Sequence, residues 1–478
     1  MADGEFAPLA PATTTVGGHL ASLTRPMSRL CPVRIFLLLA PFLYVAYALI
    51  TPPFQNFDEN QHLYRAWQLG TGQLVGERRG HQSGGELPPG LGQATLREIG
   101  SVVPQGPREI HRRPLSEMFA ANTPIGGGAP PLYYDFYGAV VYSPAGYLPQ
   151  IAAVGIGEAA GLSVEWTMRI GRLFNVALCI LLVLWAIKLL PYGRWPMAIV
   201  ALSPPMAAGA ASFGQDALVN GAGLLLTALG LRIAAEGRWT GARAAATAVA
   251  GVAIALAKFV YLPLVALAAF PLPRSTRRRS WLLPPVAIGA VAAALMIGWM
   301  RIAAPAIVPT IRPWVPPVPE QVAWVLAHPL DFAVLVGRTY LVELPTAWAG
   351  LYAFGDSTVP VIWSAAVPGT AALLAAMAYG DAGAADLTRG RRLWMLLIFA
   401  AVALLVATVM FVALATRNSL IILGIQPRYF LPALPLAAIA LMRRGEVGPP
   451  VMTRIAILLV LASHAAALGA ILGTFYSL

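Results

Sequence analysis

Two carboxylates, an imidazole and a guanidinium, on Asp58, Glu59, His62 and Arg65, crowd one short stretch directly after an apolar run from Val33 to Ile50. That run is just long enough to cross a bilayer. Pro52 and Pro53 then stop the helix. Ionisable side chains this close to a hydrocarbon edge mark a functional-site candidate. A carboxylate there can take a proton from an incoming hydroxyl.

Three further stretches place polar groups at the ends of apolar runs. They are Ser212-Phe-Gly-Gln-Asp216, Lys258-Phe-Val-Tyr261 and Gly424-Ile-Gln-Pro-Arg428-Tyr429. A snorkelling side chain explains Lys258 as readily as function does. Arg428 is different: it lies between Pro427 and the apolar run Tyr429 to Met442, where a cytoplasmic anchor does not account for it. Arginine binds a lipid phosphate through two parallel bonds. Carboxylates with Arg and Lys at a bilayer face suit transfer of a sugar from a lipid phosphate to an acceptor. A transporter would want Gly- or Pro-broken helices meeting at mid-membrane, often in two related halves. The chain has no internal repeat, but Ser203-Pro-Pro is one such break, so transport stays open.

Composition says what must position these groups. The 478 residues are 58% hydrophobic and only 11% charged, against about 25% charged in soluble domains, which makes the chain a polytopic membrane protein. Its net charge of +12 reports orientation rather than nucleic-acid binding, because Lys and Arg gather in cytoplasmic loops. Cys31 and Cys179 sit at or inside apolar runs, so neither a disulfide framework nor a Cys-based metal site is expected. The histidines form no HExxH-type pair.

Residues 1–30, rich in Ala, Pro, Thr and Gly, read as a disordered cytoplasmic tail before a single transmembrane domain over 31–478. Asn56 with Glu59 is a capping-box pattern and starts a helix near Phe57. Asp58, His62 and Arg65 then share one face, and Leu63 and Trp67 an adjacent apolar one, as in a helix lying on the membrane surface. Arg274, Arg277, Arg278 and Arg279 should be cytoplasmic. That parity holds if 138–162 hugs the membrane inside a first periplasmic loop over 51–168. A second large periplasmic loop covers 303–358, with an amphipathic piece near 321–345. The expected count is about eleven transmembrane helices, an all-α architecture with the N-terminus cytoplasmic.

The order of these motifs resembles a bacterial family of multispanning membrane proteins of formerly unknown function, related to the GT-C superfamily of polyprenyl-phosphate-sugar-dependent glycosyltransferases. The resemblance is carried by Pro52-Pro53-Phe54 with Asp58 to Arg65, Ser212 to Asp216, Lys258 to Pro263, Gly350 to Asp356 and Gly424 to Pro432. This chain departs at Asn60 and Pro427, where the family often has Pro and Gly.

The resemblance implies a GT-C-like glycosyltransferase of the bacterial inner membrane with a periplasmic active site, no nucleotide-sugar site and a polyprenyl-phosphate sugar donor. The acceptor would be a cell-envelope glycan or lipid. It makes Asp58 the catalytic base, with Glu59 as runner-up. Arg428 would stabilise the leaving lipid phosphate, and Lys258, Tyr429, His62, Arg65 and Asp216 would complete the binding site. A divalent metal, Mg or Mn, serves some relatives and not others; here Asp58 and Asp216 would be its ligands. A transporter or flippase of a lipid-linked envelope precursor, and an envelope-glycan polymerase or ligase, are the alternatives.

Overall fold

The computed structural model describes residues 31–102, 109–126, 129–269, 279–310, 314–354, 359–379, 387–443 and 450–477. The tail at 1–30, Arg274, Arg277 and Arg278, Arg444, and the Gly355-Asp356 end of the Gly350 motif lie outside the described residues.

The fold is mostly helical. In chain order come α1 (Pro32–Ile50), α2 (Glu59–Gly70), α3 (Pro89–Ile99), α4 (Leu148–Ala159), α5 (Val164–Leu189), α6 (Arg194–Ala201), α7 (Pro204–Ala210), α8 (Asp216–Glu236) and α9 (Gly241–Lys258). A 3-10 stretch, Phe259–Ala269, follows α9. Then come α10 (Leu283–Ala303), α11 (Val318–Ala327), α12 (Pro329–Gly350), α13 (Trp363–Tyr379), α14 (Arg389–Leu414), α15 (Leu434–Leu441) and α16 (Pro450–Phe475).

Among the described residues, seven helices are long and apolar enough to cross a membrane, or eight if α11 and α12, bent by 102°, make one span. Helix length alone gives fewer than the expected eleven, for local reasons. Ser203-Pro204-Pro205 splits one apolar run into α6 and α7, of eight and seven residues. Tyr429 to Met442 forms a 3-10 turn and the eight-residue α15. α13 has only 17 residues. The amphipathic piece expected near 321–345 is the bent α11–α12 pair.

The segment Gly241–Ala269 is 29 residues long and counts once, yet the chain turns back within it. An unbroken helix would hold Gly251 and Val265 about 21 Å apart, whereas a Cβ on Gly251 would stand 2.9 Å from Val265 Cγ2. The turn falls at Lys258, which meets the start of α8.

The bundle therefore has two ends. At one, Ile233, Ala268, Trp281 and Trp239 pack together. Arg391 there donates to Ala234 O, Arg392 to Ala440 O and Met442 O, and the Arg443 N–H to Met377 O. We call it the basic end. Asp216, Lys258 and Arg428 meet at the opposite end.

Over that opposite end sits the segment between α1 and α5. It is not purely helical: β1 (Glu77–Arg79), β2 (Gln82–Leu87) and β4 (Leu132–Asp135) form an antiparallel sheet in the order β1-β2-β4. Gly84 is required there, since a Cβ would stand 1.7 Å from Tyr134 O on the paired strand. α4, at 12 residues, is about 18 Å long and too short to span. β3 (Arg113–Pro114) pairs in parallel with β5 (Tyr476–Ser477), just beyond α16. Arg112 Nε donates to Tyr476 O at 2.9 Å, and the Tyr476 hydroxyl to Ile50 O at 2.9 Å.

α2 is not the surface helix its pattern suggests. Every residue from Glu59 to Leu69 is buried. Leu63, Tyr64 and Trp67 join a core with Leu87, Leu91, Tyr134, Phe136 and Phe213. Each large apolar side chain so buried contributes about 1.5–3 kcal/mol. The sheet and α4 supply the cover that a single amphipathic helix would otherwise seek from the bilayer.

Candidate active site

The helix carrying the first motif starts at Glu59, with Asp58 as N-cap and no capping bond from the Asp58 side chain. Half of the expected capping box forms, since the Asn56 N–H donates to Glu59 Oε2 at 3.4 Å. Asp58 and Phe54 both adopt left-handed backbone, φ 52° and 64°, the two non-glycine cases among the described residues. Strain of this kind is held only where surrounding contacts fix it, and it clusters at functional sites.

Asp58 meets Arg428, whose Nη2 lies 3.3 Å from Asp58 Oδ2. Arg428 Nη1 reaches Asp216 Oδ2 at 3.2 Å, and its Nε reaches Gln426 Oε1 at 2.6 Å. The guanidinium carbon stands 4.4 Å from the centre of the Phe57 ring. Lys258 Nζ binds the other Asp216 oxygen at 2.6 Å and lies 5.7 Å from the Tyr429 ring centre. Lys258 is thus an ion-pair partner rather than a snorkelling end residue. Tyr261 donates to Tyr429 O at 2.8 Å and steadies the turn that carries Arg428.

The two carboxylates differ in exposure. The Asp216 side chain is 14% exposed and has a cation on each oxygen; that of Asp58 is 34% exposed and shares one cation. Asp216 is a fixed counter-charge. Asp58 is the carboxylate open to an incoming group.

Glu59 points elsewhere. Its side chain is fully buried and meets Arg172, from α5, through two bonds of 2.8 and 2.6 Å. Its Oε1 also accepts from the Phe213 N–H at 2.8 Å. Burial pushes this carboxyl up, but the Arg172 charge and these bonds outweigh it and hold the group below its ordinary value. Asn175 donates to Ser212 O and Gly214 O, and Gln150 to Phe213 O and Gly214 O, so the same backbone turn is held from other sides. Glu59 therefore fixes the spacing between the Asp58 turn and the Asp216 turn instead of joining the Asp58–Arg428–Asp216 cluster.

Arg65 also leaves the face its spacing suggested. It is fully buried and donates to Tyr142 O and Leu74 O, with Gln68 beside it. It staples the covering segment together.

His62 lies behind the charged cluster. Its Nδ1 is 2.6 Å from the Tyr147 hydroxyl, and its ring stacks on Tyr142 with centres 6.0 Å apart. Burial pulls it down to about 4 from 6.5, Asp58 opposing and Lys258 assisting. The unfolded chain protonates this histidine below pH 6.5 while the folded chain does not. Stability is therefore full above pH 6.5 and falls as pH drops toward 4. The loss should total roughly 3 kcal/mol. Unfolding in detergent, followed against pH, should show this slope, and His62→Gln should flatten it. An equal slope in both proteins would place the acid lability elsewhere.

Sequence reasoning missed Arg172, Tyr142, Tyr147 and Phe57. Only Arg172 left a signal, an arginine inside an apolar run with no loop to explain it. Among the described residues no group of three or more His, Cys, Asp or Glu could hold a metal ion. Asp58 and Asp216 are bridged by a guanidinium instead.

These features define a class: a helical, multi-spanning membrane protein with a charged cluster at one end, under a covering segment. The chain belongs to the family described as predicted membrane protein (DUF2142), whose model matches residues 39–437, from within α1 to within α15. No curated protein and no solved structure matches it.

Proposed function

We propose that the protein is a GT-C-like glycosyltransferase that moves a sugar from a polyprenyl phosphate to an envelope glycan or lipid. The observation that carries this reading is the meeting of Asp58, Asp216, Lys258 and Arg428, from four separate elements, at one end of the spans. Arg and Lys at that depth match the headgroup of a lipid phosphate. In the proposed reaction the acceptor hydroxyl gives its proton to Asp58, and its oxygen attacks the anomeric carbon. The bond from that carbon to the phosphate oxygen breaks, and the lipid phosphate leaves with the electron pair against Arg428 and Lys258. Orientation follows from charge: the basic end is cytoplasmic, in an inner membrane, and the site periplasmic.

The test is donor affinity and single-turnover transfer in nanodiscs, with polyprenyl-phosphate sugars as donors. Arg428→Ala should weaken donor binding and slow transfer, by about tenfold or more each. Arg428→Lys should restore only part, since a point charge lacks the two-pronged geometry. Unchanged donor affinity in Arg428→Ala would remove the phosphate role.

One observation favours a second reading, transport. Where α6 breaks from α7, the Leu202 carbonyl meets His464 Nε2 at 2.8 Å, and His464 Nδ1 meets the Tyr47 hydroxyl at 3.2 Å. A broken helix with a buried histidine mid-span is a transporter feature. Flipping of a fluorescent lipid phosphate across proteoliposomes, without transfer, would favour it. A polymerase or ligase would use the same charged cluster.

A further inference from the structure

Arg428 has its three guanidinium nitrogens engaged: Nε with Gln426, Nη1 with Asp216 and Nη2 with Asp58. Each Nη carries a second N–H, so a phosphate that takes this guanidinium through both Nη nitrogens shares them with the two carboxylates and competes with the more weakly held one. Gln426 is the shortest contact, at 2.6 Å, and is neutral. Asp216 is held by Lys258 as well, at 2.6 Å, and is the more enclosed acid. Asp58 is the longest contact, at 3.3 Å, and the more exposed acid. It is the partner that yields.

We infer that the Arg428–Asp58 ion pair is a latch that a phosphate opens: the anion replaces Asp58 on Arg428 and thereby frees the Asp58 carboxylate. Resting on the glycosyltransferase reading, this adds an order of events. While the latch is closed, the guanidinium competes with any acceptor proton for the Asp58 oxygens. Once a phosphate sits on Arg428, Asp58 loses its counter-charge beside a new anion and becomes a stronger proton acceptor. The proton acceptor is therefore armed by the donor. Lys258 and Asp216 stay paired throughout and give the phosphate a fixed wall.

The latch makes a counter-intuitive demand on affinity. Removing a negative charge next to a phosphate site is ordinarily a modest gain; here it also removes the competitor for the binding nitrogen. Farnesyl phosphate in detergent micelles is the probe, with inorganic phosphate as a second arm, titrated against the purified full chain. Asp58→Asn should bind farnesyl phosphate more tightly than the parent, by roughly threefold to tenfold. The gain should vanish in an Arg428→Ala background, which separates the latch from a general charge effect. Tightening with farnesyl phosphate alone supports the latch and assigns the anion to a lipid headgroup. Tightening with inorganic phosphate as well supports it with phosphate alone as the key. Equal affinity in Asp58→Asn and parent would overturn the latch and leave the glycosyltransferase reading standing. A gain that persists without Arg428 would also overturn it. Binding by neither protein would overturn both.

Discussion

Asp58→Asn is expected to lower single-turnover glycosyl transfer by about 10²–10⁴ without loss of folded protein. The amide keeps the shape of the side chain but cannot accept the acceptor's proton. Asp58 precedes α2 with no capping bond and a side chain one-third exposed, so little packing depends on its charge. Donor binding should survive, which distinguishes a lost base from a lost site. The measurement is transfer in a single turnover at saturating donor, beside the thermal unfolding curve of the same preparation. Normal turnover by Asp58→Asn would reject the base assignment and leave the cluster as a binding site.

Glu59→Gln should do the reverse. The family resemblance makes Glu59 the runner-up base, and on that reading its replacement would be a folded, inactive protein. The structure places it as the fully buried partner of Arg172, which also donates to Ala48 O, Thr51 O and Pro52 O where α1 ends. Removing one partner of a buried pair leaves the other charge uncompensated and costs about 3–5 kcal/mol. Glu59→Gln should therefore lower the unfolding midpoint and the yield sharply, while the folded fraction retains transfer. Replacing both partners, as Glu59→Gln with Arg172→Met, should recover part of the loss, because no charge is then stranded. A stable, fully folded Glu59→Gln protein with no transfer would mean that the wrong carboxylate of the pair was chosen as base.

Much of the site was readable as sequence because charge is costly at a bilayer edge. Asp58, Asp216, Lys258 and Arg428 stood out for that reason alone, and the fold brings them together. Helical spacing put Arg65 on the Asp58 face as well, yet its guanidinium turns to Tyr142 O and Leu74 O. Spacing reports a face, and it cannot say that a covering segment will bury α2 on all sides. That segment was opaque because its strands are short and rich in Gly and charge, far from the apolar alternation that marks a strand. Apolar runs and long helices part company where prolines cut the runs, at Ser203-Pro204-Pro205 and around Pro427, since hydropathy measures content and not continuity.

The pairing of β3 with β5 bears on how the protein is made. β3 belongs to a segment synthesised directly after the first span, yet its strand partner Tyr476 follows the last one. Arg112 and Tyr476 are separated by 364 positions, and Tyr476 also closes back on Ile50 at the C-terminal end of α1. During synthesis the covering segment waits with one strand unpaired until α16 is inserted. The pairing thus acts as a clasp, one that closes only after the spans between its two strands have been made. Ribosome-release intermediates lacking α16 should accordingly expose the Arg113 region to protease, and the completed chain should protect it.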